Sequence, residues 1–344
     1  MQRNFILTDV MKTGNHADIE EFVNLHSIDD QNFTMTGEYY TLHSYDLDSF
    51  DRRFAVIDVR HENQRLKGNT EIQQELERRC ELLRRQGFVF IKATPWESIS
   101  NIEECEADDI MFPKVNVEHI KWSGGVSWFW FYMYRKHLGK RYNFDHSRKY
   151  FDFLYLNKYM RTHRHKLFDC VEPLLDKSLY TNWSKGIKLP TKYELPWAQD
   201  YPLRGMDQDI YEKPYNETKY SLVSETNDTN NEVFMTEKIW KPIIAQQIFV
   251  VHGNYLYLQK LREMGFKTFS NYFDETYDLE RDKQKRIDNI ANTCRDLLEK
   301  NWQDIYLQTQ ALRKHNLETF FNIERLSAQI NKTLELFLEF ADRG

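Results

Sequence analysis

Between residues 220 and 269 the chain alternates short apolar runs with longer amphipathic ones, and this alternation restricts the fold more than any other feature of the 344 residues. Tyr220, Leu222 and Val223 read as a strand that delivers Glu225 at its carboxyl end, followed by a polar loop over 226–234 that cannot pack as core. Thr236 then stands where an N-cap belongs. After it Ile239/Ile243 and Trp240/Ile244 recur at four-residue spacing, so a helix is expected to start here with Glu237 and Lys238 in its exposed first turn. Pro242 lies too far in for a first-turn position and is expected to kink that helix. Residues 248–251 form a β-branched strand stopped by Gly253, residues 256–264 a helix ended by Gly265, and residues 266–269 the next strand. Strand and helix in strict alternation are the pattern of a doubly wound α/β unit, whose ligands bind at the carboxyl ends of the strands.

A helix N-terminus presents unpaired N–H groups and partial positive charge, and a first-turn lysine adds a full charge beside them, which suits a diphosphate. The ordered series of Glu225, polar loop, Thr236-Glu237-Lys238, Trp240 and an apolar strand ending at Gly253 resembles the nucleotide-sugar-binding segment of the α-1,3-fucosyltransferases. The resemblance is strong over residues 220–278 and weak elsewhere. It implies two Rossmann-like α/β domains facing across a cleft (GT-B-like), with C-terminal helices packing back across the junction. The implied reaction is inverting transfer of a sugar from a nucleoside-diphosphate donor, GDP-fucose being the first to try, to a hydroxyl of a glycan acceptor. By the same resemblance Glu237 holds the ribose hydroxyls, Lys238 the diphosphate, and Glu225 with its loop borders the sugar or base pocket. The family commonly continues from its Glu with Asn-Ser, where this chain has Thr226-Asn227, so the sugar's identity is left open.

Upstream, residues 54–59 and 88–93 read as strands flanking a helix over 71–85 that starts acidic and ends basic. The segment Thr94-Pro95-Trp96-Glu97-Ser98 follows the second strand and places a carboxylate in a carboxyl-end loop. Inverting transfer needs a base for the acceptor hydroxyl. Glu97 is assigned that role, with His61 and Glu62 next in order, and Glu225 is the second carboxylate assigned to the chemistry. The first fifty residues have no clear period, although 38–42 could be a strand.

A further strand over 151–156 leads into a loop over 157–166 and a helix through Leu167 and Val171. The family carries an Arg and a Lys at the matching loop and helix, and Arg164 and Lys166 resemble that pair, with Arg161 as the alternative phosphate contact. Residues 185–219 hold Pro190, Pro196, Pro202 and Pro214 without a period and read as an irregular insertion that could shape an acceptor groove. After residue 278, helical spacing runs over 282–302 and 303–341. The expected organisation is an acceptor-side domain over 1–145, a donor domain over 146–300 and terminal helices over 301–344.

Other readings have less to stand on. The triplets Asp46-Leu47-Asp48 and Asp207-Gln208-Asp209 have the pattern of a metal-held diphosphate, yet neither follows a convincing apolar strand, and no metal or other cofactor is expected. Basic residues from Arg135 to Lys149, interleaved with Tyr142 and Phe144, suit a nucleic-acid backbone, so transfer to a modified nucleic-acid base is a rival activity. The net charge of −6 opposes it. A non-catalytic nucleotide-binding protein of the same fold is the remaining rival. Four scattered cysteines and no signal-peptide layout near Met1 point to a reducing interior, and no apolar run of about 18 residues reads as a membrane helix. Because Golgi members of the resembled family carry a membrane anchor, the resemblance implies a bacterial or viral version in the cytoplasm.

Overall fold

Two all-parallel sheets organise the chain in the computed structural model, which describes residues 3–9, 31–36, 44–58, 70–93, 96–98, 119–122, 144–158, 160–193, 210–228, 232–322 and 324–325. The fold is α/β. The chain divides into two compact units, the first comprising Met1–Trp96, Glu104–Phe129 and Ile323–Gly344, the second Glu97–Glu103 and Trp130–Asn322.

The first unit contains β1 (Arg3–Asp9), β2 (Gln31–Thr36), β3 (Arg52–Asp58), β4 (Val89–Ala93) and β6 (His119–Trp122), while β5 (Trp96–Ser98) has Glu97 and Ser98 in the second unit. The sheet runs β2-β1-β3-β4-β6 with every neighbouring pair parallel. A parallel pair needs a long crossover, and α1 (Thr70–Arg85) supplies it between β3 and β4. Cys80 and Leu83 on α1, like Ile6, Ala55 and Phe90 on the strands, are buried. The outer face of α1 carries Glu75 with Arg78 and Arg79, and Glu81 with Arg85, at helical spacing. Gly87, at φ +77°, lets the chain reverse after α1, while Phe88 N donates back to Leu83 O at 3.1 Å.

The second unit begins its sheet with β7 (Phe151–Tyr155), then α2 (Thr162–Val171), β8 (Leu179–Tyr180), α3 (Glu212–Glu217), β9 (Thr218–Ser224), β10 (Glu232–Phe234), α4 (Glu237–Ile244) and β11 (Ile248–His252). It closes with α5 (Tyr257–Glu263), α6 (Lys283–Glu299), α7 (Trp302–Gln308) and α8 (Gln310–Phe320). The sheet order is β11-β9-β7-β8, again all parallel, and β10 pairs separately with β5. All five residues of β11 are buried, as a strand covered on both faces requires. Helices pack on it in pairs, α2 against α6 and α4 against α8. From β7 the chain goes one way to β8 and the other way to β9 and β11. The order therefore reverses between β7 and β9, which opens a crevice at their carboxyl ends.

Two expectations need correction. Residues 266–269 are not a strand, although Phe266 and Phe269 are buried. Their backbone groups are taken by side chains: Asn316 accepts from Lys267 N at 2.7 Å and donates to Lys267 O at 2.8 Å, and Glu275 accepts from Phe269 N at 2.7 Å. With those bonds made there is no ladder left to form. The helix expected after the loop over 157–166 starts earlier, at Thr162, because Arg161 at its cap makes no side-chain cap bond and gives no start signal. The strand expected at 38–42 lies outside the described residues, as do residues 135–143 of the basic run, His61, Glu62, Asp207 and Asp209. Asp46 caps a single 3-10 turn and Asp48 pairs with Arg53 at 2.7 Å, so both are engaged locally. No helix among the described residues is long and apolar enough to cross a membrane.

Candidate functional site

The crevice between β7 and β9 is edged by the loop that follows β9. Glu225, its first residue, is fully buried, and its backbone N donates to His252 O at 2.8 Å, so it extends the β9/β11 pairing by one step. The carboxylate accepts three bonds: from Thr236 N at 3.1 Å, from Thr236 Oγ1 at 2.6 Å and from Tyr257 Oη at 2.7 Å. Burial raises its pKa, against the opposing pull of Lys238 and Thr236. Glu225 thus fixes the residue that caps α4. Thr236 has extended backbone and its Oγ1 accepts from Lys238 N, as the sequence spacing requires of an N-cap.

Three cationic side chains meet the same loop. Lys238 Nζ donates to Glu237 Oε1 at 2.7 Å, Thr236 Oγ1 at 3.0 Å and Thr226 Oγ1 at 3.2 Å. Arg164, buried on the first turn of α2, donates through Nε and Nη2 to Glu225 O at 3.1 and 2.9 Å. Arg161, at the α2 cap, donates through Nη1 to Thr226 O at 3.1 Å. His163 Nε2 donates to that same Glu225 carbonyl at 3.0 Å. Glu237 is held below its ordinary pKa: burial, the largest single influence, pushes it up and is outweighed by Lys238 and Lys241 together. The arrangement is a loop clamped by fixed positive charge beside a helix N-terminus, which suits a polyanionic ligand.

A second feature lies at one level across the whole sheet. Leu154 is in register with Leu179 and with Ser221; counted three residues on, that register reaches Asn157 and Asn182, just past the ends of β7 and β8, and Ser224, which is itself in register with His252. All four are buried, and each has side-chain polar atoms without a hydrogen-bond partner: Asn182 Nδ2, Asn157 Nδ2 and Oδ1, Ser224 Oγ and both ring nitrogens of His252. Tyr155 Oη, at the end of β7, is also without one. Burial pushes its phenol up, against the charge of Arg164 and the nearby Asn157 and Ser224. Burial, and after it the charges of His163, Arg286, Arg164 and Lys283, hold His252 neutral, its pKa well below the ordinary imidazole value. Buried groups in this state are rare and call for a water or a ligand.

Of the residues singled out in the sequence, the structure brings together Arg161, Arg164, Glu225, Thr236, Glu237 and Lys238. Lys166 is exposed on α2, where its charge acts on Asp282 ahead of α6, and it does not join them. Glu97 lies on β5, whose partner β10 ends two residues before Thr236. Its backbone is therefore in a two-stranded ribbon and not in the loop expected for it. The sequence reading missed Asn157, Asn182, Ser224, His252 and Tyr257. Two signals were present: polar residues directly after apolar strands, and a His immediately before Gly253. No protein-family model matches the chain, and no curated protein matches it significantly.

Proposed function

We propose that this chain is an inverting, nucleotide-sugar-dependent glycosyltransferase built on two Rossmann-like units, the second of which binds the donor. The observation that carries the reading is the convergence of Arg161, Arg164 and Lys238 on one loop, beside the Thr236-capped helix and at the reversal of strand order. In this reading the three cations and the first-turn N–H groups of α4 take the diphosphate and stabilise the charge that grows on it as the glycosyl bond breaks, so a divalent metal is not required. Lys238 exchanges Glu237 Oε1 for a phosphate oxygen, which releases the Glu237 carboxylate for the ribose hydroxyls. The neutral row from Asn182 to His252 supplies donors and acceptors for the uncharged part of the donor. Glu225 is a positioning residue, because its carboxylate is wholly engaged by Thr236 and Tyr257. Glu97 is the proposed base, carried on the strand beside the approach to Thr236. GDP-fucose is the first donor and a glycan hydroxyl the first acceptor to try. A reducing cytoplasm suits the free Cys80, Cys170 and Cys294.

Calorimetric titration of GDP and UDP, in EDTA, into wild type and Lys238→Ala tests the reading. Wild type is expected to bind one of them, and the variant to bind it more weakly by about 1.5–3 kcal/mol, the range of a charge-assisted hydrogen bond. Equal affinity in the two proteins, or binding abolished by EDTA, overturns the fixed-charge donor site.

A further inference from the structure

Away from that crevice, residues 144–150 lie against α3, the turn between α4 and β11, α7 and α8, and three basic side chains gather there. His146 donates through Nε2 to Ala245 O at 2.7 Å, which leaves Nδ1 as an acceptor. Lys149 Nζ, part-buried, donates to that Nδ1 at 2.8 Å and to Tyr215 O at 3.0 Å, and stands 5.6 Å from the centroid of the Trp302 ring. Trp302 stacks on Tyr306 at 4.7 Å, and the Arg313 guanidinium lies 3.6 Å from the centroid of the Tyr306 ring. Arg313 in turn donates to Gln246 O, Tyr306 O and Thr309 Oγ1.

The acceptors of His146, Lys149 and Arg313 described above are carbonyls, a hydroxyl and an imidazole. Among the described residues, α3, the α4–β11 turn, α7 and α8 contribute no carboxylate bond to Lys149. The nearest acid, Asp145 on its own segment, is exposed and accepts from Ser147 N at 2.9 Å. A lysine that is desolvated, set beside another cation and left without an acid is driven towards its neutral amine. Burial first, then Arg313, lowers Lys149 to about 7, and burial, then Lys149, lowers His146 to about 4.

We propose that Lys149 is a reversible carbamate site that takes up carbon dioxide. The lone pair of the neutral amine forms the N–C bond, one C=O π pair moves onto oxygen, and the nitrogen releases one proton to His146 Nδ1 and from there to solvent. The product is a carbamate anion, and no further reactant is consumed. It places a negative charge beside His146 and in the field of Arg313. Carbon dioxide fits because it is small, uncharged and able to reach a half-buried amine, whereas a preformed anion gains little from Arg313, whose nitrogens already face protein oxygens.

The test incubates the full chain with ¹³C-bicarbonate at pH 7.5, traps carbamates by alkylation with a trialkyloxonium salt, and maps them by peptide mass spectrometry. The ¹³C-labelled adduct is expected on Lys149 at about ten times or more its level on the exposed Lys158, Lys188 and Lys192. Lys149→Arg, which keeps a long basic side chain but has no nucleophilic amine, is expected to lose it. Competitive acetylation across pH gives a readout that does not depend on trapping: Lys149 should reach half its limiting rate near pH 7 while exposed lysines are still rising at pH 9. No adduct on Lys149, or an acetylation profile like that of the exposed lysines, overturns the proposal.

Discussion

Replacing Glu225 by Gln isolates the role of a carboxylate that touches no solvent. Two of its bonds, from Thr236 N and Tyr257 Oη, go to Oε1, and an amide oxygen there can keep both in weaker form. The third, from Thr236 Oγ1 to Oε2, is lost, because an amide NH₂ at that place faces a hydroxyl oxygen already accepting from Lys238 Nζ and Lys238 N. Losing one hydrogen bond to a charged group costs about 1.5–3 kcal/mol. The change also removes a buried charge, whose desolvation penalty opposes folding. A net loss of about 1–3 kcal/mol is expected, which for a unit of this size lowers the melting temperature by about 2–4 °C per kcal/mol. Thermal melts at pH 7 of wild type, Glu225→Gln, Tyr257→Phe and the double variant measure it, and the coupling between the two sites should be about 0.5–3 kcal/mol, as for groups in direct contact. A Glu225→Gln protein that melts at or above wild type would refute the claim that this carboxylate holds the α4 cap in place.

Gly253 and Glu275 each give a further test. A Cβ at Gly253 would stand 2.5 Å from Tyr257 Cδ2, a ring fixed by its bond to Glu225, so Gly253→Ala should cost about 1–3 kcal/mol in denaturant titration; an unchanged midpoint would mean that the ring is not held. The Glu275 carboxyl is pushed up to about 7 by burial, from 4.5. The folded state therefore binds the extra proton between those values, and stability falls as pH rises through that window. Glu275→Gln should accordingly be more stable than wild type at pH 8 and closer to it at pH 5, and an equal difference at both pH values would contradict the assignment.

The residues that were legible are those whose structure is set by near neighbours. Thr236 caps the helix its spacing announced, and Ile239, Trp240, Ile243 and Ile244 are buried together on one side. The strands at β7, β9 and β11 follow from short runs dominated by aromatic and branched apolar residues. What could not be read depends on partners distant in the chain. Residues 266–269 have the composition of a strand, but Asn316, some fifty residues later, takes the backbone bonds a neighbouring strand would need. The choice between Arg161, Arg164 and Lys166 turns on where α2 begins, and Arg161 carries no capping side chain that would mark it. The row from Asn182 to His252 exists only through the register of four strands. In one dimension its members are four unrelated polar residues.

Trp240, fully buried on α4, stands 5.5 Å from the rings of both Phe266 and Phe320. The helix that carries Thr236 and Lys238 therefore rests on a residue eighty positions downstream, at the end of α8. A chain emerging from the ribosome exposes Thr236 and Lys238 well before the surface they lean on has been made. Vectorial synthesis thus makes the support of this helix a late product, and a nascent chain halted before α8 should expose more of Trp240 to water and show red-shifted emission from that indole.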